Sequence, residues 1–548
     1  MLSQPQTSAA TEPGTGYRMS RSTDRSARRR PSTVLRTGLA ALALLGLGSC
    51  VNPRHVAQSD HYDRQTAAEM FSAGYEGIAD YYVDAIPTEA IAIGALSGIT
   101  TLDPAIGYAR RGDRLTVTID GRPIAEFVTP AKDDTVRWAM LTSAAIDAGR
   151  GVSKPIHDAT PERIYEVAFD SAVRKLDRFS RYLTAEAARA AQASRNGYTG
   201  IGITIVERDG ETYVTSVFDQ SPAQEAGVKP GDRIVAVNGA PTSGLDITEV
   251  ADRLRGLIGS HVGVTFDRSG QQLVTSLERR PVIETTVRVH RLRDVGYIQL
   301  SGFNRDTAHS LETSLDELQQ GGPLRGLILD LRQNRGGQLN QAIRVSDLFI
   351  DRGTILATRG RHPNSVQHFE AHDRDATAAP MVVLIDSGSA SAAEIVAAAL
   401  QDAGRALVIG ARSYGKGTVQ QIVPMPNDGE LILTWARMHA PSGYGLSRFG
   451  VFPSICTADG SVNVEKVVQG LRDGHLQAGE AVHRRRGAES LDPASQEALL
   501  SWCKANHPPS DDDLDAQIAR RLLDERDLFQ QAFNASRIAL GERPETLQ

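Results

Sequence analysis

A run of small and hydroxyl-bearing residues, Asp386-Ser-Gly-Ser-Ala-Ser-Ala-Ala-Glu-Ile395, joins an apolar stretch to a segment with helical periodicity. Small side chains let a substrate backbone approach, and a helix N-terminus offers free N–H groups to a developing oxyanion. Ser391 is the serine closest to the predicted helix, so it is a candidate nucleophile with the amide of Ala392 as an oxyanion donor. The alternative is that this serine is only the N-cap of the helix.

A serine nucleophile needs a base, and Lys416 is the candidate that the sequence offers. It lies in Ser413-Tyr-Gly-Lys-Gly-Thr-Val-Gln-Gln421, between glycines and near apolar strands. Burial there can lower the pKa of the lysine from its ordinary value near ~10.4 far enough for it to accept a proton. The 13 His are scattered, and none stands in a glycine-rich turn beside an acid. The pattern therefore favours a lysine base over a histidine.

A phosphate-binding loop is the competing interpretation of the segment around Lys416. The run Gly410-Ala-Arg-Ser-Tyr-Gly-Lys416 follows an apolar strand and comes within one residue of the P-loop spacing. Gly417, however, stands where that loop needs Ser or Thr for magnesium, and Thr418 to Val423 has the pattern of a strand. Nucleotide binding is thus disfavoured, and since no Cys/His cluster has metal-ligand spacing, we expect no metal.

These segments lie in a region, 284–460, that alternates apolar strands with helices. Continuous apolar runs are typical of buried parallel strands, so this region is predicted to be an α/β core. Strands are expected at 295–300, 326–331, 381–386 and 406–410, and helices at 307–319, 339–349 and 392–402.

Other domains must flank this core, because 548 residues are too many for one hydrophobic core. Residues 67–196 have mostly helical periodicity with an insertion, and 197–283 form short alternating strands punctuated by glycine. A charged, helical region follows at 461–548. The formal net charge of −6 argues against a nucleic-acid partner.

The first 50 residues are typical of an export signal. A basic stretch from Arg25 to Arg36 precedes an apolar run, 38–48, that is too short to span a bilayer. Leu47-Gly-Ser-Cys50 resembles a bacterial lipoprotein signal, in which the cysteine is lipidated, and a plain signal peptide is the alternative. We expect a signal peptide at 1–50, a tether at 51–66, and a lipid-anchored protein on the periplasmic side of the cell envelope.

Two cysteines, Cys456 and Cys503, remain if Cys50 is lipidated. In an oxidising compartment such an even pair can form a disulfide. Two buried free thiols are the alternative, and the sequence leaves both open.

Five blocks in a fixed order resemble the carboxyl-terminal processing peptidases, over roughly Tyr81 to Ile455. The blocks are Tyr297-Ile-Gln-Leu-Ser-Gly-Phe303, Leu329-Asp-Leu-Arg-Gln-Asn-Arg-Gly-Gly337, Ser389-Ala-Ser-Ala-Ala-Glu-Ile395, Tyr414-Gly-Lys-Gly-Thr-Val-Gln420 and Gly450-Val-Phe-Pro-Ser-Ile455. The resemblance implies that Ser391 is the nucleophile, Lys416 the general base, and Gln420 the residue that orients the lysine.

The same resemblance implies an oxyanion hole made by the Ala392 amide and one amide of the pair Gly336 and Gly337. Arg335 departs from the family, because a small residue or proline usually precedes this pair. The β-rich domain resembles a PDZ domain with the strand order of bacterial proteases. There Gly200, Ile201, Gly202 and Ile203 match the loop that holds a peptide's terminal carboxylate, and the peptide would add as a strand along the adjacent edge.

The sequence therefore predicts a multidomain α/β protein with four parts: a helical N-terminal domain, a PDZ-like domain, a ClpP/crotonase-like peptidase core and a helical C-terminal tail. The predicted function is a serine endopeptidase without a cofactor, acting on envelope proteins with accessible C-termini. An adaptor lipoprotein and a homo-oligomer are further partners that the family allows. The alternative is a non-catalytic envelope scaffold that binds peptide C-termini, for which Arg335 is the only local hint.

Overall fold

The computed structural model describes residues 61–372, 376–458, 462–474, 482–483, 485–504 and 513–539. The predicted signal peptide, Cys50 and most of the predicted tether lie outside these residues. Within them, no helix is both long enough and apolar enough to cross a membrane.

The α-helices with described bounds are α1 (Arg64–Tyr81), α2 (Thr88–Ile99), α3 (Thr135–Arg150), α4 (Lys154–Asp158), α5 (Pro161–Val173), α6 (Ala185–Asn196), α7 (Pro222–Glu225), α8 (Ile247–Leu254), α9 (Thr307–Gln320), α10 (Leu339–Asp347), α11 (Ala392–Asp402), α12 (Val464–Arg472), α13 (Pro493–Ser501), α14 (Leu514–Asp524) and α15 (Arg526–Ala539).

The strands are β1 (Ile106–Arg111), β2 (Arg114–Ile119), β3 (Arg122–Val128), β4 (Arg181–Leu183), β5 (Tyr198–Gly200), β6 (Ile203–Arg208), β7 (Glu211–Val217), β8 (Arg233–Val237), β9 (Ala240–Pro241), β10 (His261–Arg268), β11 (Gln271–Glu278), β12 (Arg280–Val282), β13 (Val287–Leu292), β14 (Val295–Leu300), β15 (Gly326–Asp330), β16 (Thr354–Arg359), β17 (Gln367–Glu370), β18 (Met381–Ile385), β19 (Ala406–Gly410), β20 (Thr418–Pro424), β21 (Glu430–His439) and β22 (Ile455–Cys456).

The N-terminal domain packs α1, α2, α3 and α5 around a buried apolar cluster. Helix α1 begins at Arg64, three residues before the predicted start, because the Asp63 side chain caps it by accepting from the Thr66 N–H at 2.8 Å. The insertion is a three-stranded antiparallel sheet, β1 to β3, which buries Leu115 and Val117 against the helices. The predicted insertion is therefore a small sheet added to a helical domain.

The second domain is a sheet in the order β11-β10-β8-β7-β6, with α8 packed beside β6 and β8. Strand β6 is an edge strand, so its outer side is free of strand pairing in the described sheet. The chain enters and leaves this domain through β5 and β12, which pair antiparallel with Tyr198 opposite Val282. We call β5 and β12 the connecting ribbon.

The core is a six-stranded sheet in the order β13-β14-β15-β18-β19-β22, in which all pairs except β13–β14 are parallel. Helices α9, α10 and α11 cover one face, and α12, α14 and α15 cover the other. The apolar runs predicted as strands are β14, β15, β18 and β19, and each is buried on both faces of the sheet. Parallel strands end at the same edge, which brings the loop after β15 next to the loop after β18.

A second antiparallel sheet, β17-β16-β21-β20, was not predicted from the sequence as a unit. Strand β20 directly follows the loop of Lys416, and β21 pairs with both β20 and β4. The N-terminal domain thus contributes a strand to the sheet that holds the lysine.

The C-terminal region is attached to the core by covalent and ionic contacts. Cys456 at the end of β22 forms a disulfide with Cys503, just beyond α13. Asp513, the N-cap of α14, accepts from Arg332 at 2.6 Å, and Arg332 also contacts Asp330 at the end of β15. The predicted helical C-terminal region therefore includes α14, which packs on the sheet.

Candidate active site

Ser391 stands between β18 and α11 in a strained backbone conformation. It is the N-cap residue of α11, with φ 58° and ψ −114°, and only 6% of its surface is exposed. A positive φ at a residue other than glycine costs ~1–3 kcal/mol and persists only where the surroundings impose it.

The hydroxyl of the neighbouring Ser389 is used in hydrogen bonds that hold the loop. Its hydroxyl donates to the Leu331 carbonyl at 2.8 Å and accepts from the Asp386 N–H at 2.9 Å. The Ala390 N–H donates to the Asn334 carbonyl at 2.9 Å. These bonds join the loop after β18 to the loop after β15 and so fix the backbone that leads into Ser391.

Glu394 connects the segments of the two predicted catalytic residues. Its fully buried carboxylate accepts from Ser391 N–H at 2.8 Å and from Lys416 N–H at 3.1 Å. It also accepts from Gly415 N–H and the Ser413 hydroxyl, both at 2.6 Å. Burial raises the pKa of Glu394, while these four donors act in the opposite direction. One carboxylate therefore holds the nucleophile segment and the lysine loop together.

Lys416 lies mostly buried beside a residue of the N-terminal domain, Phe179. Its Nζ is 5.8 Å from the centre of the Phe179 ring. Burial, and to a smaller extent the charge of Arg181, lower the pKa of Lys416 to about 8, although Glu394 and Asp177 act in the opposite direction. Among the described residues, no hydrogen bond joins Nζ to Ser391, so the two meet as neighbouring segments rather than through a formed bond.

Gln420 lies on β20, four residues beyond the lysine. Its Nε2 donates to the hydroxyls of Thr418 at 2.9 Å and Thr434 at 3.3 Å. No hydrogen bond between Gln420 and Lys416 is present in the described chain. The predicted orienting contact is not formed in this structure, and the observed support of the lysine loop is Glu394.

The two glycines of the predicted oxyanion hole differ in their surroundings. A Cβ added at Gly336 would lie 2.7 Å from the Ser391 Cβ and 2.9 Å from the Ala392 nitrogen, so this glycine packs directly on the nucleophile. The Gly336 N–H, however, donates to the Asn334 side chain at 2.8 Å. The N–H groups of Gly337 and Ala392 have no partner within the described ranges, which leaves both available to a substrate.

The predicted peptide-binding loop lies at a cavity of about 390 Å³ in the β-rich domain. Gly200, Ile201 and Ile203 line it, together with β6 and α8, whereas Gly202 does not. Gly202 has φ 82°, and a Cβ there would come within 2.2 Å of the Ser221 side chain. The cavity runs beside the unpaired edge of β6, where an added peptide strand would fit.

Helix α6 forms a further wall of this groove, a role that no sequence pattern predicted. Arg189 of α6 contacts Asp252 of α8 at 3.5 Å. At the other end of α6, Arg195 binds Glu430 of β21 at 2.7 Å, and its carbonyl accepts from the Gln338 side chain at 2.8 Å. A single helix therefore touches both the groove and the residue that follows Gly337.

The structure decides the competing interpretation of the loop that contains Lys416. Lys416 is followed by strand β20 and not by a helix, so the phosphate-loop interpretation is wrong. No group of three or more His, Cys, Asp and Glu side chains in the described residues is arranged to hold a metal.

The role of Glu394 was not predicted from the sequence, although Ser391-Ala-Ala-Glu394 has the spacing of a capping box, which would have pointed to it.

Comparisons with known proteins show which family and domain the chain resembles. Residues 294–456 match peptidase family S41, and residues 213–268 match a PDZ domain. The chain is 38% identical over 301 residues to a carboxy-terminal-processing protease of Bartonella bacilliformis, covering 54% of this chain and 69% of that protein. It is 33% identical over 298 residues to carboxy-terminal processing protease CtpA of Bacillus subtilis, covering 54% and 64%. A solved structure of a photosystem II D1 C-terminal processing protease is 24% identical, covers 71% of this chain and 92% of that chain, and has a TM-score of 0.34.

Proposed function

The chain belongs to the carboxy-terminal processing proteases of peptidase family S41, and from this premise we propose that Ser391 is its nucleophile and Lys416 its general base. The prediction of a serine peptidase with a PDZ domain is confirmed at the level of the family. Glu394 is the observation that carries the proposal, because one buried carboxylate binds the backbone N–H of both residues.

The lowered pKa of Lys416 supports its role as the base. With a pKa of about 8, a useful fraction of the amine is neutral at physiological pH and can accept the proton of the Ser391 hydroxyl. The Ser391 oxygen then attacks the peptide carbonyl, and the lysine returns the proton to the leaving amine. Water completes the cycle by hydrolysing the acyl-enzyme.

We assign the oxyanion hole to the N–H groups of Ala392 and Gly337. Both are without a partner in the described chain, and Ala392 is the first residue of α11, where the helix dipole favours negative charge. Gly336 shapes the site instead, since it packs on Ser391 and its N–H is used by Asn334. Gln420 stays a proposed orienting residue, whose contact with Lys416 would form when substrate binds.

The substrates that we propose are unfolded or tagged proteins of the bacterial cell envelope, captured by their C-termini in the groove between β6 and α8. Export, lipidation at Cys50, a periplasmic location, an adaptor lipoprotein and self-association belong to the same proposal. The scaffold alternative depended on Arg335, but this residue is exposed and leaves the contact between Gly336 and Ser391 intact. No observation favours the scaffold.

Cleavage of an unfolded protein with an apolar C-terminus tests the assignment of the site. Ser391→Ala and Lys416→Ala should each lower kcat/KM by at least ~10³-fold. Ser387→Ala is the matched control, because Ser387 lies exposed in the same loop and should leave the rate unchanged. Turnover that survives in Ser391→Ala, or that is lost equally in Ser387→Ala, would show that the nucleophile is a different residue.

A further inference from the structure

A second cavity, of about 510 Å³, opens on the Lys416 side of the site. Its wall includes Phe179, whose ring faces the lysine Nζ, and Tyr414 and Thr418, which flank the lysine along the chain. A substrate segment that passes the base therefore comes within reach of this cavity.

Four arginines line the cavity, and three of them have no carboxylate partner in the described part of the chain. Arg437 is paired with Asp84 at 2.8 Å. Arg178 stacks on the rings of Phe179 and Tyr414, with its guanidinium carbon 4.7 and 5.1 Å from their centres. Arg448 donates to the neutral side chain of Gln496 at 3.2 Å.

Arg412 is the most buried of these cations and the least well satisfied. One of its terminal nitrogens, Nη1, donates to the main-chain carbonyls of Arg448 and Phe449 at 3.2 and 3.1 Å. Its Nε is buried without a hydrogen-bond partner. Glu394 and Glu497 act on this partly buried guanidinium from a distance, but neither forms an ion pair with it. A carboxylate bound in the cavity would supply that direct contact.

The carboxylates that line the cavity are already occupied. Asp84 is the partner of Arg437, and Asp177 accepts from the N–H groups of Phe179 and Ser180 at 2.6 and 2.9 Å. Asp177 also accepts from the Thr434 hydroxyl at 3.1 Å. The cavity thus presents unpaired positive charge, in a fork geometry suited to a carboxylate.

We propose that this cavity is a carboxylate-binding subsite, in which Arg178, Arg412 and Arg448 bind an acidic group of a peptide that lies along the Lys416 loop. The ligand is either an Asp or Glu side chain close to the scissile bond or the α-carboxylate of a short C-terminal segment. The subsite rests on the proposed function, since it gives that peptidase a preference for acidic substrate positions.

Binding of three fluorescent peptides to the Ser391→Ala variant tests the subsite without turnover. The first is amidated at its C-terminus and carries Glu residues, the second is the same peptide with Gln in their place, and the third is the Gln peptide with a free C-terminus. We expect the Glu peptide, the free-acid peptide or both to bind about 10-fold tighter than the amidated Gln peptide. Adding Arg178→Gln and Arg448→Gln should remove that gain, whereas adding Arg352→Gln, an 84% exposed arginine outside the cavity, should not.

Each outcome decides between the sources of the carboxylate or rejects the subsite. A gain by the Glu peptide that needs the cavity arginines assigns a side-chain carboxylate, and an arginine-dependent gain by the free-acid peptide assigns the α-carboxylate. The subsite is overturned if neither the Glu peptide nor the free-acid peptide shows a gain that Arg178→Gln and Arg448→Gln remove. A free-acid gain that survives both substitutions is capture by the groove between β6 and α8. Loss of the peptidase assignment would appear separately, as hydrolysis of the amidated Gln peptide that does not depend on Ser391.

Discussion

Lys416 must lose its proton before it can act as a base, so the rate should follow its ionisation. The expected kcat/KM rises about 10-fold per pH unit below pH 8 and levels off above it, because the pKa of the buried amine is about 8. The measurement is hydrolysis of a neutral peptide by wild type from pH 6 to pH 10. A rate that is flat between pH 6 and 9 would contradict the role of the lysine.

Arg181 offers a direct check on that profile. Its positive charge lowers the pKa of Lys416, so Arg181→Gln should raise this pKa and move the rising limb to higher pH. Arg174→Gln is the control, because Arg174 is exposed and is not among the charges that shift the pKa of Lys416. A limb that stays in place in Arg181→Gln would mean that another group titrates.

Glu394 binds the backbone of both Ser391 and Lys416, so its replacement should affect both stability and activity. In Glu394→Gln an amide N–H₂ would face donors that now bind a carboxylate, leaving buried N–H groups unpaired. We expect the free energy of unfolding to fall by about 2–4 kcal/mol and activity to fall by at least ~10²-fold. Urea unfolding and peptide hydrolysis measure the two effects, with the exposed Glu497→Gln as the control. Activity within threefold of wild type would show that Glu394 does not hold the site together.

At the scale of single residues, the sequence predicted the candidate nucleophile and base. It did not predict the residues that surround the base. Ser391 and Lys416 lie in short motifs of small residues that can be recognised directly in the sequence. The partners Phe179 and Arg181 are more than 200 positions from Lys416, and only the fold brings them together. The candidate catalytic residues could therefore be found in short sequence motifs. The shift in the pKa of Lys416 could not, because it depends on residues that are distant in the sequence.

At the scale of elements, the bounds of helices and strands were predicted best for elements of the core that are buried on both sides. Helix α11 and strands β14 and β19 have the predicted bounds, since continuous apolar runs mark them. Strand β21 was not predicted, because it pairs with strands from different parts of the chain, β4, β16 and β20. Its stability comes from pairing rather than from a pattern of its own.

The disulfide between Cys456 and Cys503 is the element-scale contact with the clearest test. It closes a loop across a sequence separation of 47 residues, for which the chain-entropy model gives about 4 kcal/mol. We expect Cys503→Ser to lower the free energy of unfolding by about 2–4 kcal/mol in urea. Reduction of wild type should give the same loss and should not affect the variant. A Cys503→Ser protein as stable as wild type would show that the bond is dispensable.

At the scale of the whole molecule, the groove of the PDZ domain and the Ser391 site should contribute to different steps. Ala251 lines the groove on α8, so Ala251→Phe should fill it. We expect KM for an unfolded protein with a free C-terminus to rise about 10-fold, while kcat/KM for a short amidated peptide stays unchanged. Ser276→Ala is the control, because Ser276 lies exposed on β11, at the opposite edge of the sheet from β6. Equal effects of Ala251→Phe on both substrates would argue against capture by the groove.

The connecting ribbon has a consequence for how such enzymes diversify. Because Tyr198 lies opposite Val282, the domain enters and leaves its host at one point, where insertion disturbs the surrounding fold least. Recombination at this point can exchange one peptide-binding module for another, or delete it, without altering the sheet that carries Ser391. Recognition and cleavage can then evolve at separate rates in one polypeptide.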